Sequence, residues 1–485
     1  MLPTARRGFD KGSSRPNLLV FFARRYAVFI LVAFALLFLL ARIWRAAPLA
    51  AAPLPLQPNE NALLPAPLPP LYSAYHFDEL RLPQHHWERK KPAPTESFFY
   101  VAGHARGTGW GNGMEEYLLN AYIAYKAGRS FVFSNYTWNA DGSLYSDYNG
   151  KKIPSTIPYS AIVRGYFTGD PLPASNHAPL AVSREYYQKL CPKPKVYIRE
   201  DVHDHLSSEN NAKQITDGWV AKLKGTEDPC VQTALGSGQL FNYMVFGDKY
   251  AMHDIWDEFT SSPIVTHFRW SPLVELAYDN NRELFKSSDT VEPYYASLNT
   301  PTNRERYPEI PGLLALHVRR GDFEEHCIHI GNWSSDYVAV NNLPGMADQF
   351  TVPSHEDWGW NTPENHAIYR KHCYPSVDEI VQRVREVRRT PAGKGLRRAF
   401  IMTNGSPEYV MELKLALWHD GDWELITSSR DLVLNWEQKY IAQAVDMLVG
   451  QRAQVLIGNG FSTMTSNMVM MRMVNGFPVE STRFF

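Results

Sequence analysis

The sequence has few cysteines, no excess of one charge and no internal repeat, and each of these absences excludes a class of protein. Four cysteines in 485 residues are too few for a disulfide scaffold, and they show no Cys-x-x-Cys metal spacing. Lys and Arg number 49 and Asp and Glu number 50, and a net charge of -1 disfavours a protein that coats nucleic acid. No period of about 20 to 50 residues recurs, which argues against a solenoid or a propeller. The length suits two or three domains.

The N-terminal segment carries a strong bias of charge and of hydropathy. Eight basic residues and one acid lie in the first 45 positions. Residues 26–41 form an uncharged apolar run, which Ile43 and Trp44 extend past Arg42, whose side chain can snorkel to the membrane surface. A cleaved signal peptide has a similar apolar core. The long leader, the basic pair beside the run and the lack of a small-residue cleavage site after it favour an uncleaved signal anchor at 26–44.

Proline, alanine and leucine dominate residues 46–71, and at this proline density neither a helix nor a sheet ladder forms. We interpret residues 46–94 as a Pro-rich stem and residues 1–25 as a cytosolic basic tail. This layout predicts a single-pass type II protein of the Golgi or ER membrane with its catalytic part in the lumen. A lumenal location would permit disulfides among the four cysteines, in three possible pairings, and glycosylation at Asn135, Asn332 and Asn404.

Strand-like and helix-like segments alternate after the stem. A strand at 97–102, a helix at 114–127 and a strand at 131–133 are typical of a βαβ unit with a Gly-rich first loop. The second half continues this alternation with strands at 313–318, 399–402, 423–426 and 455–457 and helices at 377–387, 408–418, 437–449 and 463–474. The pattern predicts the α/β class, with parallel sheets in two Rossmann-like domains, 95–300 and 301–485, and a cleft between them. Residues 145–261 show no clear pattern.

Three loops at the ends of predicted strands carry residues suited to a diphosphate. Residues 103–113 are Gly-rich and enter a helix whose N-terminal amides attract anions, although they lack the dinucleotide-binding spacing. Residues 317–323 place Arg319 and Arg320 at the carboxyl end of a buried strand, where open α/β sheets bind ligands and where a guanidinium fork suits a pyrophosphate. Residues 457–466 offer Ser and Thr at a strand-to-helix junction. Taken singly, each loop is also compatible with a simple turn, a surface ion pair or a helix cap.

Together and in this order, the three loops resemble the GDP-fucose-dependent O-fucosyltransferase superfamily, which includes the α1,6-fucosyltransferases. The resemblance extends from about residue 98 to residue 475. The residues that carry it are Gly111 and Asn112 in the first loop, His317, Arg319 and Arg320 in the second, and Asp446, Ser462 and Thr463 around the third.

The resemblance implies a GT-B fold and an inverting, metal-independent transfer of fucose from GDP-fucose to a hydroxyl of a protein or glycan, with no cofactor. Arg319 would be the catalytic residue, holding the β-phosphate and helping GDP to leave. The other donor-binding residues would be Gly111, Asn112, His317, Arg320, Asp446 on the guanine or ribose side, and Ser462 and Thr463 on phosphate oxygens. The expected partners are a GDP-sugar, a protein or glycan acceptor and, through one span, the membrane, but no nucleic acid.

The sequence departs from the family pattern at three positions. Gly113 replaces a Gln, Gly109 stands where some relatives carry a Glu as base, and Asn404 replaces an Asp. The base for the acceptor is therefore unassigned, and we predict that Glu115 and Glu116 lie on a solvated helix face. These departures leave two alternatives open: a nucleotide-sugar-binding or scaffold protein of the same fold without turnover, and a transferase that uses another GDP-sugar.

Two further patterns could bind a metal ion, and we predict that neither does. Asp420-Gly-Asp422 matches the DxD motif of GT-A glycosyltransferases, which would use Mn²⁺, but Asp-Gly is also favoured turn chemistry. The second pattern, which lacks helical metal spacing, comprises Glu325, His326, Cys327 and His329, with His203 and His205 elsewhere. We expect surface histidines and a disulfide from Cys327, with Cys373 as its candidate partner.

Overall fold

Two five-stranded sheets, one in each half of the chain, organise the fold, and all strand pairings within them are parallel. The computed structural model describes residues 67–173, 176–208, 210–241, 250–286, 291–354 and 359–485. The predicted tail, the predicted signal anchor and the first part of the predicted stem lie outside these residues. Within the described part, no helix combines the length and the hydropathy needed to cross a membrane.

The strands are mostly short. In chain order they are β1 (Phe98–Tyr100), β2 (Ser130–Phe133), β3 (Asn135–Thr137), β4 (Tyr145–Tyr148), β5 (Lys151–Pro154), β6 (Thr156–Pro158), β7 (Val163–Arg164), β8 (Val182–Ser183), β9 (Lys195–Tyr197), β10 (Cys230–Thr233), β11 (Arg269–Trp270), β12 (Ile310–Val318), β13 (Arg398–Thr403), β14 (Leu425–Ser428), β15 (Ala453–Gly458) and β16 (Thr482–Phe484).

The α-helices connect these strands. They are α1 (Ser73–Leu80), α2 (Trp110–Ala127), α3 (Arg184–Leu190), α4 (Glu200–His203), α5 (Ala212–Lys224), α6 (Trp256–Thr260), α7 (Pro263–Thr266), α8 (Pro272–Asn280), α9 (Arg282–Phe285), α10 (Asn303–Arg306), α11 (Phe323–Asn332), α12 (Pro363–Cys373), α13 (Val377–Arg388), α14 (Pro407–Asp420), α15 (Ala442–Arg452) and α16 (Thr463–Val474). Short 3₁₀ helices include Ser429–Asp431 and Gln438–Ile441.

The first sheet has the strand order β8-β2-β1-β10-β9. The chain leaves β1 toward β2 on one side, and the later strands β9 and β10 lie on the other side. The direction of winding therefore reverses between β1 and β10, where Phe98 lies opposite Cys230. Such a switch point opens a crevice at the carboxyl ends of the strands.

The second sheet has the order β14-β13-β12-β15-β16, with its switch point between β12 and β15. Residues 313–318 of β12 are buried on both faces of the sheet. Successive side chains of β12 belong to different hydrophobic clusters: Ala315 packs in one cluster, and Leu316 packs in a second cluster. This explains the continuous apolar pattern of β12 in the sequence. The two sheets fall on either side of residue 300, and the predicted α/β class with parallel sheets is confirmed; the domain boundaries stay a prediction.

Helix α2 is buried on nearly all sides. It begins after Gly109 and ends at Gly128, whose φ of 70° is left-handed. Because α2 packs against β2, α5 and α16, Glu115 and Glu116 are only 6% and 1% exposed. The prediction of a solvated face for these two residues is wrong, since α16 packs on α2 beside Glu115 and the Ala105 backbone N–H, in the preceding loop, donates to Glu116.

The second part of the predicted stem is folded rather than extended. Residues 73–80 form α1, the Tyr72 hydroxyl donates to the Glu437 carbonyl at 2.7 Å, and Trp436 Nε1 donates to the Leu68 carbonyl at 3.0 Å. The dense proline pattern ends at Pro70, and the aromatic residues after it can pack on the body of the protein. The predicted spacer therefore extends too far toward the C terminus.

All four cysteines form disulfides. Cys191 pairs with Cys230, joining the end of α3 to β10, and Cys327 pairs with Cys373, joining α11 to α12. The Cα atoms are 5.6 Å and 5.9 Å apart, respectively. The candidate pairing of Cys327 with Cys373 is confirmed.

Candidate functional site

A cavity of about 640 Å³ lies at the carboxyl ends of β12 and β15, and all three predicted loops contribute to its wall. Gly109 and Asn112 come from the first loop, Arg319 from the second, and Ser462 and Thr463 from the third. Its position is the switch point of the second sheet, where ligands of open α/β sheets bind. The rest of the described wall consists of Asp322, Phe323, Glu325, His326, His329, Ile330, Trp333, Ser335, Asp336, Val338 and Phe461.

Arg319 presents its guanidinium group at this cavity. Its Nη2 lies 3.1 Å from Asp322 Oδ2, and its Cζ lies 4.9 Å from the centre of the Phe323 ring. The buried Nε has no hydrogen-bond partner within the described chain. The side chain is 29% exposed, so the group is oriented by its neighbours yet open to a ligand.

The N-termini of α2 and α16 meet beside Arg319. Thr463 Oγ1 donates to Asn112 Oδ1 at 2.5 Å, and Asn467 Nδ2 donates to the Gly111 carbonyl at 2.9 Å. A Cβ atom on Gly111 would lie 2.6 Å from Thr463 Oγ1 and 2.7 Å from the Met464 backbone nitrogen. Glycine is therefore required for this approach. The first-turn amides of both helices, which lack intrahelical partners, come to one place and carry partial positive charge.

Two side chains at these N-termini have hydrogen-bonding capacity for a ligand. Ser462 is the N-cap residue of α16, but its hydroxyl makes no capping hydrogen bond, and it lines the cavity. The bond from Thr463 occupies Asn112 Oδ1, which leaves the amide hydrogens of Asn112 available. Hydroxyl and amide donors beside two helix N-termini suit the oxygens of a phosphate.

His317 lies beneath this site and supports it. It is buried at 2% exposure, and its Nδ1 lies 2.7 Å from Thr465 Oγ1. Burial, with a further effect of the Arg319 charge, lowers the pKa of His317 to about 3, so the imidazole is neutral. His317 is not among the described residues of the cavity wall. Its contact with Thr465 connects the end of β12 to the first turn of α16.

Arg320 points away from the cavity. Its Cζ lies 4.4 Å from the ring centres of both Tyr374 and Tyr409, and its Nη2 donates to the Pro375 carbonyl. This side chain packs within the second half of the chain, and the structure does not bring it to the other predicted donor-binding residues.

Asn404 fastens the turn that carries Arg319. Its Oδ1 accepts from the Arg320 backbone N–H, and its Nδ2 donates to the Arg320 carbonyl, both at 2.7 Å. The same Nδ2 donates to Asp322 Oδ1 at 2.9 Å. Because Asp322 in turn contacts Arg319, the residue that departs from the family pattern has a positioning role here.

Asp446 lies apart from the described cavity wall but at the same edge of the second sheet. It is 7% exposed, and its Oδ2 accepts from the Ser429 hydroxyl at 2.8 Å, next to the end of β13. Its buried Oδ1 has no hydrogen-bond partner within the described residues. Burial raises the pKa of Asp446 to about 7. A ligand donor would satisfy this oxygen.

Helix α11 supplies further candidate functional side chains, and the prediction of surface histidines is confirmed here, since His326 and His329 are exposed. Glu325, His326 and His329 line the cavity, and His329 stacks on Trp333 with ring centres 5.5 Å apart. Burial and the Arg319 charge lower the pKa of His326. The signal in the sequence is the position of these residues directly after the turn that carries Arg319, where the chain enters α11.

The DxD sequence has a structural explanation. Asp420, at the end of α14, pairs with the Arg385 guanidinium, whose Nε lies 3.0 Å away. Among the residues that the structure describes, no group of three or more His, Cys, Asp or Glu side chains could hold a metal ion.

Comparisons with known proteins yield structural matches only. No family model matches the sequence, and no curated protein matches it. The chain is similar to a crystal structure of POFUT1 in its apo form, with 14% identity and a TM-score of 0.48 over 82% of this chain and 99% of that chain. For POFUT1 in complex with GDP-fucose the identity is 14% and the TM-score 0.47, over 81% of this chain and 99% of that chain.

A POFUT1 complex with GDP is similar at 15% identity and a TM-score of 0.47, over 81% of this chain and 99% of that chain. At such identities and TM-scores these matches carry no argument about function.

Proposed function

We propose that this chain is a glycosyltransferase that transfers fucose from GDP-fucose to a hydroxyl of a protein or glycan, with inversion and without a metal ion. The observation that carries the proposal is the meeting of Arg319 with the N-termini of α2 and α16 at one cavity. In this proposal the two sheets belong to the two domains of a GT-B fold, and the chain is anchored as a type II membrane protein in the Golgi or ER.

The cavity is suited to the leaving group of this reaction. Breaking the bond between fucose and GDP leaves additional negative charge on the β-phosphate. Arg319 provides a full positive charge with a forked set of donors, and the first turns of α2 and α16 add oriented amides. Such preorganised groups stabilise charge that develops in the transition state without a cation. Ser462 and Asn112 would bind phosphate oxygens.

The guanine end of the donor has a candidate partner in Asp446. Its unpartnered Oδ1 is an acceptor at the carboxyl edge of the second sheet, and guanine carries N–H donors on its Watson–Crick edge. A buried acceptor without a donor is costly, so a bound guanine would remove that cost.

An inverting transfer also needs a base for the acceptor hydroxyl. Gly109 cannot serve, but Glu325 and His326 line the cavity, and the lowered pKa of His326 makes its neutral form available near pH 7. Either group can take the proton as the oxygen attacks the sugar. Two disulfides, which form in oxidising compartments, support the proposed lumenal location.

A second candidate is a nucleotide-sugar-binding protein of the same fold without turnover. The observations that favour it are the missing side chain at Gly109 and the use of Asn404 to hold the backbone of the Arg319 turn.

Thermal-shift measurements on the full chain in detergent, with GDP-fucose, GDP-mannose and UDP-N-acetylglucosamine, test the donor, and GDP release in EDTA tests turnover. We expect the largest shift with GDP-fucose and GDP release that EDTA leaves unchanged. Binding of GDP-fucose without GDP release would favour the second candidate. A larger shift with GDP-mannose would identify GDP-mannose as the donor in place of GDP-fucose. Loss of GDP release in EDTA would show that the transfer requires a metal ion.

A further inference from the structure

A second cavity, of about 740 Å³, lies at the switch point of the first sheet. Its wall includes Tyr100 at the end of β1, Gln232 near the end of β10, and His104 and Arg106 from the loop that follows β1. The proposed donor site uses none of these residues. The volume is in the range of about 300 to 1,000 Å³ that is usual for small-ligand pockets, and the position is the one where open parallel sheets bind ligands.

Arg106 gives this cavity a positive charge that no carboxylate neutralises within the described chain. Its Nη2 donates to the Ala102 carbonyl at 2.9 Å, and its buried Nε has no hydrogen-bond partner among the described residues. Arg184, from the first turn of α3, also lines the cavity and pairs with Glu185 at 3.0 Å, while its buried Nε likewise has no partner there. Buried donors without acceptors are costly, so both guanidinium groups favour an acidic ligand.

His104 adds an acceptor to these two donors. Its Nδ1 lies 3.3 Å from the Val101 carbonyl, which places the proton on Nδ1 and leaves the lone pair on the buried, unpartnered Nε2. Burial, followed by the positive charge of Arg106, lowers the pKa of His104 to about 4, and Arg184 contributes in the same direction. The imidazole is therefore neutral at pH 7, and its Nε2 can accept a hydrogen bond from a ligand hydroxyl.

The remaining wall combines apolar side chains, such as Leu144 and Leu235, with many amide and hydroxyl groups. Amide side chains from Gln188 and Gln232 line it, as do Asn135 and Asn139, and Glu185 is the only acid among its described residues. Amides and hydroxyls in this number suit the many hydroxyl groups of a sugar better than the apolar side chains of a peptide.

We infer that this second cavity binds an acidic saccharide, whose carboxylate or sulfate group contacts Arg106 and Arg184 and whose hydroxyl groups contact His104 Nε2 and the amide side chains. The loop at 103–113 lines both cavities, since it also provides Gly109 and Asn112 to the first. The saccharide would thus be part of the acceptor. That role rests on the proposed function, whereas the binding itself does not.

Calorimetric titration of the full chain in detergent, without donor, tests the binding. The probes are a hyaluronan tetrasaccharide, its carboxyl-reduced neutral form, a 6-sulfated N-acetyllactosamine with its unsulfated form, and a tetraglutamate peptide. We expect at least about tenfold tighter binding of one or both acidic saccharides than of their neutral forms, as charge-assisted hydrogen bonds would give. Comparing the hyaluronan tetrasaccharide, which carries carboxylates, with the 6-sulfated N-acetyllactosamine shows which acidic group the cavity prefers.

The variant Arg106→Gln should abolish the preference for the acidic form, and Arg106→Lys should retain part of it. Arg389→Gln, at an exposed residue that follows α13, is the matched control and should change nothing. Gln188→Glu, at an exposed position of the wall one helical turn after Arg184, adds a negative charge and should weaken acidic binding if Arg106→Gln fails to fold.

Equal affinity for acidic and neutral saccharides, an unchanged preference in folded Arg106→Gln, or tighter binding of tetraglutamate would overturn the inference. GDP-fucose binding, measured separately on the same preparations, should be unaffected by Arg106→Gln. If GDP-fucose does not bind but the acidic saccharide does, the proposed function fails and this site stands.

Discussion

Replacing Arg319 by alanine removes the positive side chain from the wall of the first cavity, the proposed donor site, while leaving the residues around it in place. Asp322, its ion-pair partner, is 50% exposed and keeps the hydrogen bond from Asn404 Nδ2. Phe323 is anchored by α11. Because the lost ion pair is open to solvent on the Asp322 side, its contribution to stability is about 1 kcal/mol or less. The variant should therefore fold, and its defect should be catalytic.

The expected loss follows from the geometry of the site. The amides of α2 and α16 remain, so the variant loses one donor set among several that face the departing diphosphate. Removal of one such group typically lowers kcat by about 10² to 10³ fold, or about 2.7 to 4 kcal/mol. Arg319→Lys retains the positive charge but not the forked pair of donors, so its kcat should lie between those of Arg319→Ala and the wild type.

The assay is GDP release from GDP-fucose by the full chain in detergent, with EDTA present. Arg389→Ala, an exposed arginine remote from the described cavity wall, is the control and should match the wild type. Thermal unfolding of both variants checks that they fold. If folded Arg319→Ala releases GDP at more than half of the wild-type rate, Arg319 does not stabilise the leaving group and the proposed mechanism is wrong.

Three further predictions concern the packing around the site. Gly111→Ala places a Cβ atom 2.6 Å from Thr463 Oγ1, so it should cost about 1 to 3 kcal/mol of stability in thermal unfolding and weaken GDP-fucose binding in calorimetry. Gly109→Ala, whose Cβ would have nothing within 4 Å, should leave the stability unchanged. Burial raises the pKa of Glu115 from 4.5 to about 8, so the folded state binds more protons between these values and wild-type stability falls as pH rises through them. Urea unfolding should show Glu115→Gln gaining relative stability from pH 6 to pH 9, by about 3 kcal/mol, because about two of the pK units lie in this interval; a constant difference would contradict the assignment. Mass spectrometry should find no glycan on Asn404, whose amide nitrogen donates to both the Arg320 carbonyl and Asp322.

Local pattern predicted two elements that carry the candidate site, α16 and most of β12, but it missed α11, which supplies a large part of the described cavity wall. The predicted helix 463–474 has the observed bounds, and the strand predicted at 313–318 extends only toward its N-terminus, to Ile310. Both follow from short-range physics: an apolar run for a strand buried on both faces, and a Ser/Thr start for a helix. The tendency of parallel sheets to bind ligands at the carboxyl ends of their strands predicts that the loops after β12 and β15 meet, whereas the arrival of the first loop, from the other sheet, was implied only by the family resemblance.

Residue-level orientation could not be predicted in the same way. His317, Arg319 and Arg320 are near neighbours in the chain, yet only Arg319 reaches the described cavity wall, because the turn after β12 directs adjacent side chains to different surroundings. The burial of Glu115 depends on α16, which lies some 350 residues further along the chain, and no local pattern contains that information.

The loop at 103–113 lines both cavities, and α2, which it enters, contacts α16. Gly111 sits where the helices touch, and the loop that precedes α2 carries Arg106 on one side and Gly109 on the other. Any change that separates the helices therefore moves the donor amides of the first cavity and the loop of the second together. The substitution Arg106→Gln, by contrast, changes only the wall of the second cavity. A protein in which Gly111→Ala weakens both GDP-fucose and the acidic saccharide, while Arg106→Gln weakens the saccharide alone, would have its two sites coupled through this one contact.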